Sequence, residues 1–209
     1  MASIANRRSL MVLYSDSICP IGHAVRIVLA EKDVSVEINY IDDDNRPEEL
    51  NELNPYNSIL TLIDRDLVLY DAQIIMEYLD ERFPHPPLMP VDPVNRASNR
   101  QLRYRVMRDL YTAVEELASD NEIAAANARK VLRDNLTSIA TAFTQMSYFM
   151  SNNYTLVDCC MAPLMWRLEQ YGIKLPMSGR PIQQYADRLF ERQAFQTSLS
   201  EVEKEYNAA

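Results

Sequence analysis

Along the first third of the chain, apolar positions switch between the period of a strand and that of a helix. Ser9 to Ser15 is a short apolar run, the form of a buried strand. Pro20 suits the first turn of a helix, and Val25, Val28, Leu29 and Lys32 continue at helical spacing to Asp33. Ser35 to Ile41 alternates with period two, which predicts a second strand. After a polar turn at Asp42 to Arg46, Pro47 to Leu53 predicts a short helix. Leu60 to Ile63 and Leu67 to Tyr70, separated by Asp64-Arg65-Asp66, predict a hairpin. From Asp71 on, Ile74, Ile75, Tyr78 and Leu79 mark a third helix ending near Phe83. The order is β-α-β, a short helix, then β-β-α.

Between Phe83 and Val94 stand five prolines in ten residues: Pro84, Pro86, Pro87, Pro90 and Pro93. Such a segment can neither continue a helix nor sit inside a sheet, so it predicts a stiff connector between domains. Beyond it the pattern is helical. Leu102, Val106, Leu110, Val114 and Leu117 form one stripe, and a second helix runs from about Glu122 to Phe143. Further helices start near Thr155 and Pro181, with a short segment to Leu199 and a polar tail from Ser200 expected to fray. The reading is an α/β domain over 1–84, a proline-rich connector over 85–93 and an all-helical domain over 94–209.

Composition narrows the chemistry. The 209 residues are 47% hydrophobic and 24% charged, enough for a sizeable core without metal or disulfide staples. The three glycines, Gly22, Gly172 and Gly179, are not spaced for a dinucleotide-binding turn or a phosphate loop. With His23, His85, Cys19, Cys159 and Cys160 and neither CxxC nor HExxH, no metal site is expected. Asp42-Asp43-Asp44 lacks the pattern of a calcium loop and reads as a solvated turn. A net charge of -9 argues against direct nucleic-acid binding. The cysteine usage fits a reducing compartment, Leu10 to Tyr14 is too short for a signal sequence, and no run approaches a membrane span. A cytoplasmic protein without membrane contact is expected.

Local motifs add a resemblance. Cys19-Pro20-Ile21-Gly22-His23-Ala24-Val25-Arg26 resembles the first helix of the glutathione S-transferase fold, Asn54-Pro55-Tyr56-Asn57 the loop before its third strand, and Thr155-Leu156-Val157-Asp158 its helix-capping box. That resemblance implies a thioredoxin-like N-terminal domain and a helical C-terminal domain. The stretch from Ile75 to Val91, with its Pro84-His85-Pro86-Pro87-Leu88-Met89-Pro90 connector, resembles more narrowly the stringent starvation protein A family. These are bacterial proteins of the same superfamily that associate with RNA polymerase under starvation and stress.

A glutathione site of this fold needs a hydroxyl or thiol near the first helix, a cis-proline before the third strand, and an acid followed by serine at the third helix. Cys19 stands where omega-class transferases place their cysteine, at a helix N-terminus whose dipole favours thiolate. Leu60 replaces the proline, and a cis bond before a non-proline residue costs about 2.5–4 kcal/mol. Asp71 keeps the acid but Ala72 replaces the serine. Two of three elements are damaged, so a non-catalytic protein needing no cofactor is expected.

The resemblance implies that Pro84, His85, Pro86 and Pro87, with Asp92 where the family often has tyrosine, contact the polymerase holoenzyme and its sigma factor. It also implies a dimer pairing the third helix of one subunit with the fourth of the other. Arg96, Arg100 and Arg103, spaced on one face, would then meet carboxylates such as Asp71 and Glu77. A thiol transferase working through Cys19 and glutathione is the alternative. A polymerase-bound regulator with Cys19 as redox sensor, and pairing with a paralogue, also remain open.

Overall fold

The computed structural model describes residues 10–56 and 58–206; Arg7, Arg8, Ser9, Asn57 and the last three residues lie outside them. The chain divides into two compact units, one of residues up to Pro86 together with those from Thr197 on, the other Pro87–Gln196.

In the first unit, β1 (Met11–Ser15), α1 (Pro20–Glu31), β2 (Val36–Tyr40), α2 (Glu48–Leu53), β3 (Thr61–Asp64), β4 (Leu67–Leu69) and α3 (Ala72–Arg82) follow the order read from the sequence. The sheet order is β2-β1-β3-β4, with β2 parallel and β3 antiparallel to β1, and β4 antiparallel to β3. This is the thioredoxin-like arrangement. All five residues of β1 are buried, so both its faces are covered, as a central strand requires. Val12 and Tyr14 pack with Leu50 of α2, and the Tyr14 hydroxyl donates to Glu49 at 3.0 Å. Helices α1 and α3 lie side by side. Ser15 Oγ would stand only 2.6 Å from a Cβ at Gly22, so glycine lets α1 pass close to β1.

The tail is not frayed. Residues Glu201–Glu205 form a helix, α10, opened by a reciprocal capping box between Ser200 and Glu203. It is anchored in the first unit: Glu203 is buried and accepts from Arg26 at 2.8 Å, and the Ser200 hydroxyl donates to the Ser17 carbonyl at 2.6 Å.

The second unit is helical: α4 (Pro93–Arg105), α5 (Thr112–Leu117), α6 (Glu122–Ile139), α7 (Leu156–Trp166), α8 (Arg180–Phe190) and α9 (Gln193–Ser198), the last running past the unit boundary. The expected continuous helix through Val106 and Leu110 is interrupted. Val106–Tyr111 is a π-helical turn, and Leu102, Val114 and Leu117 are only half-buried. The wider turn brings Val106, Leu110 and Tyr111 inward together, and the Tyr111 hydroxyl donates to the Cys160 carbonyl at 2.7 Å. At the centre, α7 is buried from Leu156 through Met165, which explains why it is apolar all round. Its N-terminus carries the expected box: Thr155 Oγ1 accepts from Val157, and Asp158 Oδ2 accepts from the Thr155 amide at 2.8 Å. Around it, Phe143 stacks on Tyr185 with centroids 4.1 Å apart, and Trp166, Phe190 and Phe195 pack mutually.

Candidate functional site

The register brings the strand ends nearest the three expected glutathione-site elements to the same end of the sheet. Tyr14 pairs with Thr61 and Leu62 with Leu69, so the end of β1, the start of β3 and the end of β4 lie at one end of the sheet. Leu60 directly precedes β3, while Asp71 stands just beyond β4 and Cys19 at the end of the loop after β1. Cys19 is the N-cap residue of α1, half-buried, and makes no side-chain cap bond. Asp16 shapes the turn leading into the helix: its Oδ1 accepts from the amides of Ile18 at 2.6 Å and Cys19 at 3.1 Å.

The loop before β3 is held by a device other than proline. Among the described residues the cis peptide is His85-Pro86, so Ile59-Leu60 is trans, as its non-proline chemistry requires. Buried Asn54 fixes the loop instead: its amide donates to the Ser58 carbonyl (2.8 Å), Ser58 Oγ (2.9 Å) and Thr61 Oγ1 (3.1 Å), and its oxygen accepts from the Tyr56 amide. Asp71 caps α3, accepting from the amides of Gln73 at 2.9 Å and Ile74 at 3.1 Å, while Ala72 is buried. Its acid has a local structural use, and beside it no serine hydroxyl is available.

The second place the sequence singles out is the connector. Pro84, His85, Pro86 and Pro87 are all exposed, whereas Leu88 and Met89 are buried. What sets this turn in place lies beneath it. Lys32, fully buried, donates to Asp80 Oδ1 at 2.6 Å and to the Pro86 carbonyl. The Asp80 side chain is only 8% exposed and is neutralised by Lys32. The later half of the connector is tied by the Leu88 carbonyl, which accepts from the Leu156 amide at 2.9 Å. Asp92 is exposed and caps α4, accepting from Asn95 at 2.9 Å with Pro93 in the first helical turn. An Asp-Pro pair before a helical pattern signals that cap.

The arginine face is also corrected in part. Arg96 is half-buried and Arg100 exposed, but Arg103 is 1% exposed and its Nε donates to Asn99 Oδ1 at 3.2 Å. Helical spacing explains it: Arg103 stands three and seven residues before Val106 and Leu110, on the buried side. Asp71 is exposed and Glu77 half-buried on α3.

Sequence reasoning missed a buried polar cluster. Arg26 donates through one terminal nitrogen to Tyr40 (3.1 Å) and the Ser198 carbonyl (3.2 Å) and through the other to Glu203 (2.8 Å). His23 Nε2 lies 2.9 Å from Ser198 Oγ and its Nδ1 3.7 Å from Glu203. The signal was the Ser200-x-x-Glu203 capping pattern. Elsewhere Asp42 Oδ1 accepts from the amides of Asp44 and Asn45, closing its own exposed turn, and no cluster able to hold a metal occurs among the described residues. None of the described helices is long and apolar enough to cross a membrane.

A thioredoxin-like unit, an all-helical unit and a cysteine at the mouth of the first helix define a protein of the glutathione S-transferase fold. Family models agree: the glutathione S-transferase N-terminal domain matches residues 13–87 and the C-terminal domain residues 101–193. Glutathione transferase Omega 3C from Trametes versicolor superposes with a TM-score of 0.81 at 20% identity, covering 96% of this chain and 94% of that one. Within that fold the relatives are specific. The chain is 47% identical over 203 residues to the stringent starvation protein A homolog of Histophilus somni, covering 97% of this chain and 96% of the relative. It is 49% identical over 200 residues to that of Pasteurella multocida, covering 95% and 94%. The chain belongs to the stringent starvation protein A family.

Proposed function

We propose that this protein is a non-catalytic transcription regulator that binds RNA polymerase holoenzyme, including its sigma factor, through the exposed Pro84-His85-Pro86-Pro87 surface. It acts as a cytoplasmic homodimer without a cofactor. The observation that carries the reading is a solvent-facing His85 between prolines, on a turn whose Pro86 carbonyl is gripped by a buried lysine. A surface ordered before binding loses little conformational entropy when a partner docks. The imidazole adds a group that both donates and accepts. The acidic chain suits a protein partner with basic patches, not a phosphate backbone.

Against transferase chemistry stand the trans bond at Leu60, the missing serine at Ala72 and the use of Asp71 as a helix cap. Cys19, half-exposed at a helix N-terminus, supports a second reading as a glutathione-dependent thiol transferase. A pull-down of holoenzyme by the wild type and by the Pro84/His85/Pro86 triple-alanine variant separates the two. The regulator reading requires capture by the wild type and its loss in the folded variant. Equal capture by both, or by neither, overturns it.

A further inference from the structure

The helical unit contains a cavity of about 270 Å³ that the functional reading does not use. Its apolar walls come from Val106 and Leu110 of the π-helical turn, Ile139 at the end of α6, Ala142 in the 3-10 turn that follows it (Ala140–Thr144), and Phe149. Arg105, Asp109 and Asn135 supply polar groups among the lining residues, and half-exposed Met150 adds a thioether. We propose that this cavity binds a small amphipathic anion, with its apolar body between the π-helical turn and Phe149 and its acidic head on Arg105.

Hydrogen bonds and ring packing hold the walls on both sides. The π-helical turn directs both Val106 and Leu110 to the cavity, and Tyr111 pins it to the Cys160 carbonyl. Such turns cost regular helix geometry and recur at functional sites. On the other side, the Phe149 amide donates to Asp158 at 2.9 Å and its ring packs edge-on against Phe143. Met150 has φ 52°, a left-handed conformation rare for a residue with a side chain. It sits in a tight turn closed by Tyr148–Ser151 backbone bonds of 2.9 and 3.4 Å. A flexible, polarisable methionine beside the apolar walls suits a variable apolar body. The volume, close to the lower end of the ~300–1,000 Å³ typical of ligand sites, selects a small one.

The head-group assignment follows from Arg105. Its Nε lies 3.7 Å from Asp109 Oδ2, beyond hydrogen-bond length, and both side chains are open to solvent (66% and 48% exposed). A ligand carboxylate or sulfonate gains two parallel charge-assisted bonds from the guanidinium fork that Asp109 does not make. The Asn135 amide is a further donor on the lining. Because the chain carries a net charge of -9, anion preference has to come from this one local group.

The test uses two fluorescent probes differing by a single group: 1-anilinonaphthalene-8-sulfonate and its neutral parent N-phenyl-1-naphthylamine. Titrated against the full chain, the sulfonate should saturate one site per chain, and decanoate should displace it. Ala142→Phe, which fills the chamber, should abolish binding; Ala142→Leu is the smaller plug should the first variant melt early. Arg105→Gln should weaken the sulfonate about tenfold and leave the neutral probe unchanged. Sulfonate binding indifferent to both plugs, equal loss of the two probes in Arg105→Gln, or no saturable binding would each overturn the proposal.

Discussion

Replacing Lys32 by methionine, which keeps the aliphatic length and removes the charge, tests how the connector is held. The magnitude depends on burial. A solvent-exposed ion pair contributes at most about 1 kcal/mol. Here the two side chains are 0% and 8% exposed and 2.6 Å apart, so the buried case applies. Breaking one side of such a pair strands the other charge and costs about 3–5 kcal/mol. For a chain of this size each kcal/mol moves Tm by about 2–4 °C, so Lys32→Met should melt roughly 6–20 °C below the wild type. The double variant Lys32→Met/Asp80→Leu removes both charges of the pair and should recover most of that loss, since apolar replacement of a whole buried pair is close to neutral. It does not restore the bond to the Pro86 carbonyl. The double variant should therefore be nearly as stable as the wild type yet bind polymerase about tenfold more weakly, the equivalent of about 1.4 kcal/mol. Thermal melts and binding isotherms on the three proteins separate the effects. A Tm loss under about 2 °C in Lys32→Met would refute the buried-pair argument. Wild-type affinity in the double variant would refute the claim that Lys32 presents the connector.

Glu203→Leu should cost about 3–5 kcal/mol by leaving Arg26 buried without its carboxylate, and Arg26→Met/Glu203→Leu should recover much of it; denaturant titration of both variants checks this. Burial pushes the Asp158 carboxyl up to about 6 despite donors from Phe149, Thr155 and Tyr185. The folded state then holds that proton more tightly than the unfolded chain, so this group stabilises the fold most below about pH 4. About 3 kcal/mol is lost as pH rises through about 6, with no further change above it. Asp158→Asn should remove that slope, and an unchanged slope in urea titrations from pH 4.5 to 7.5 would contradict it. Arg96→Glu/Arg100→Glu should raise the dimer dissociation constant; unchanged sedimentation would sink the pairing with α3. Cys19→Ser should leave polymerase capture at the wild-type level and abolish any glutathione mixed disulfide seen by mass spectrometry.

The strand and helix order was legible because the apolar periods are clean in both domains, and the Thr155–Asp158 box announced α7. Single charged residues inside apolar periods were harder. Lys32 continues the Val25-Val28-Leu29 stripe and Arg103 aligns with Val106 and Leu110, so spacing alone places both on buried faces. Their charge outweighs that signal unless a partner is known, and Asp80 is distant in sequence. The π-helical turn leaves no trace, because an i to i+4 apolar spacing fits it as well as an α-helix. The tail failed for the opposite reason: its polar residues look solvated, yet Ser200 is buried on the Ser17 carbonyl and Glu203 on Arg26 of α1.

A photoreactive benzophenone amino acid at Val91 tests the central claim most directly, because that side chain is 89% exposed and lies five residues beyond Pro86 without being part of the proposed surface. Irradiated with holoenzyme, the full-length protein should form covalent adducts with the sigma factor or an adjoining polymerase subunit, and the His85→Ala variant carrying the same label should form few. Adducts confined to a second copy of the chain, or equal yields with and without His85, would contradict a polymerase-binding role for this connector.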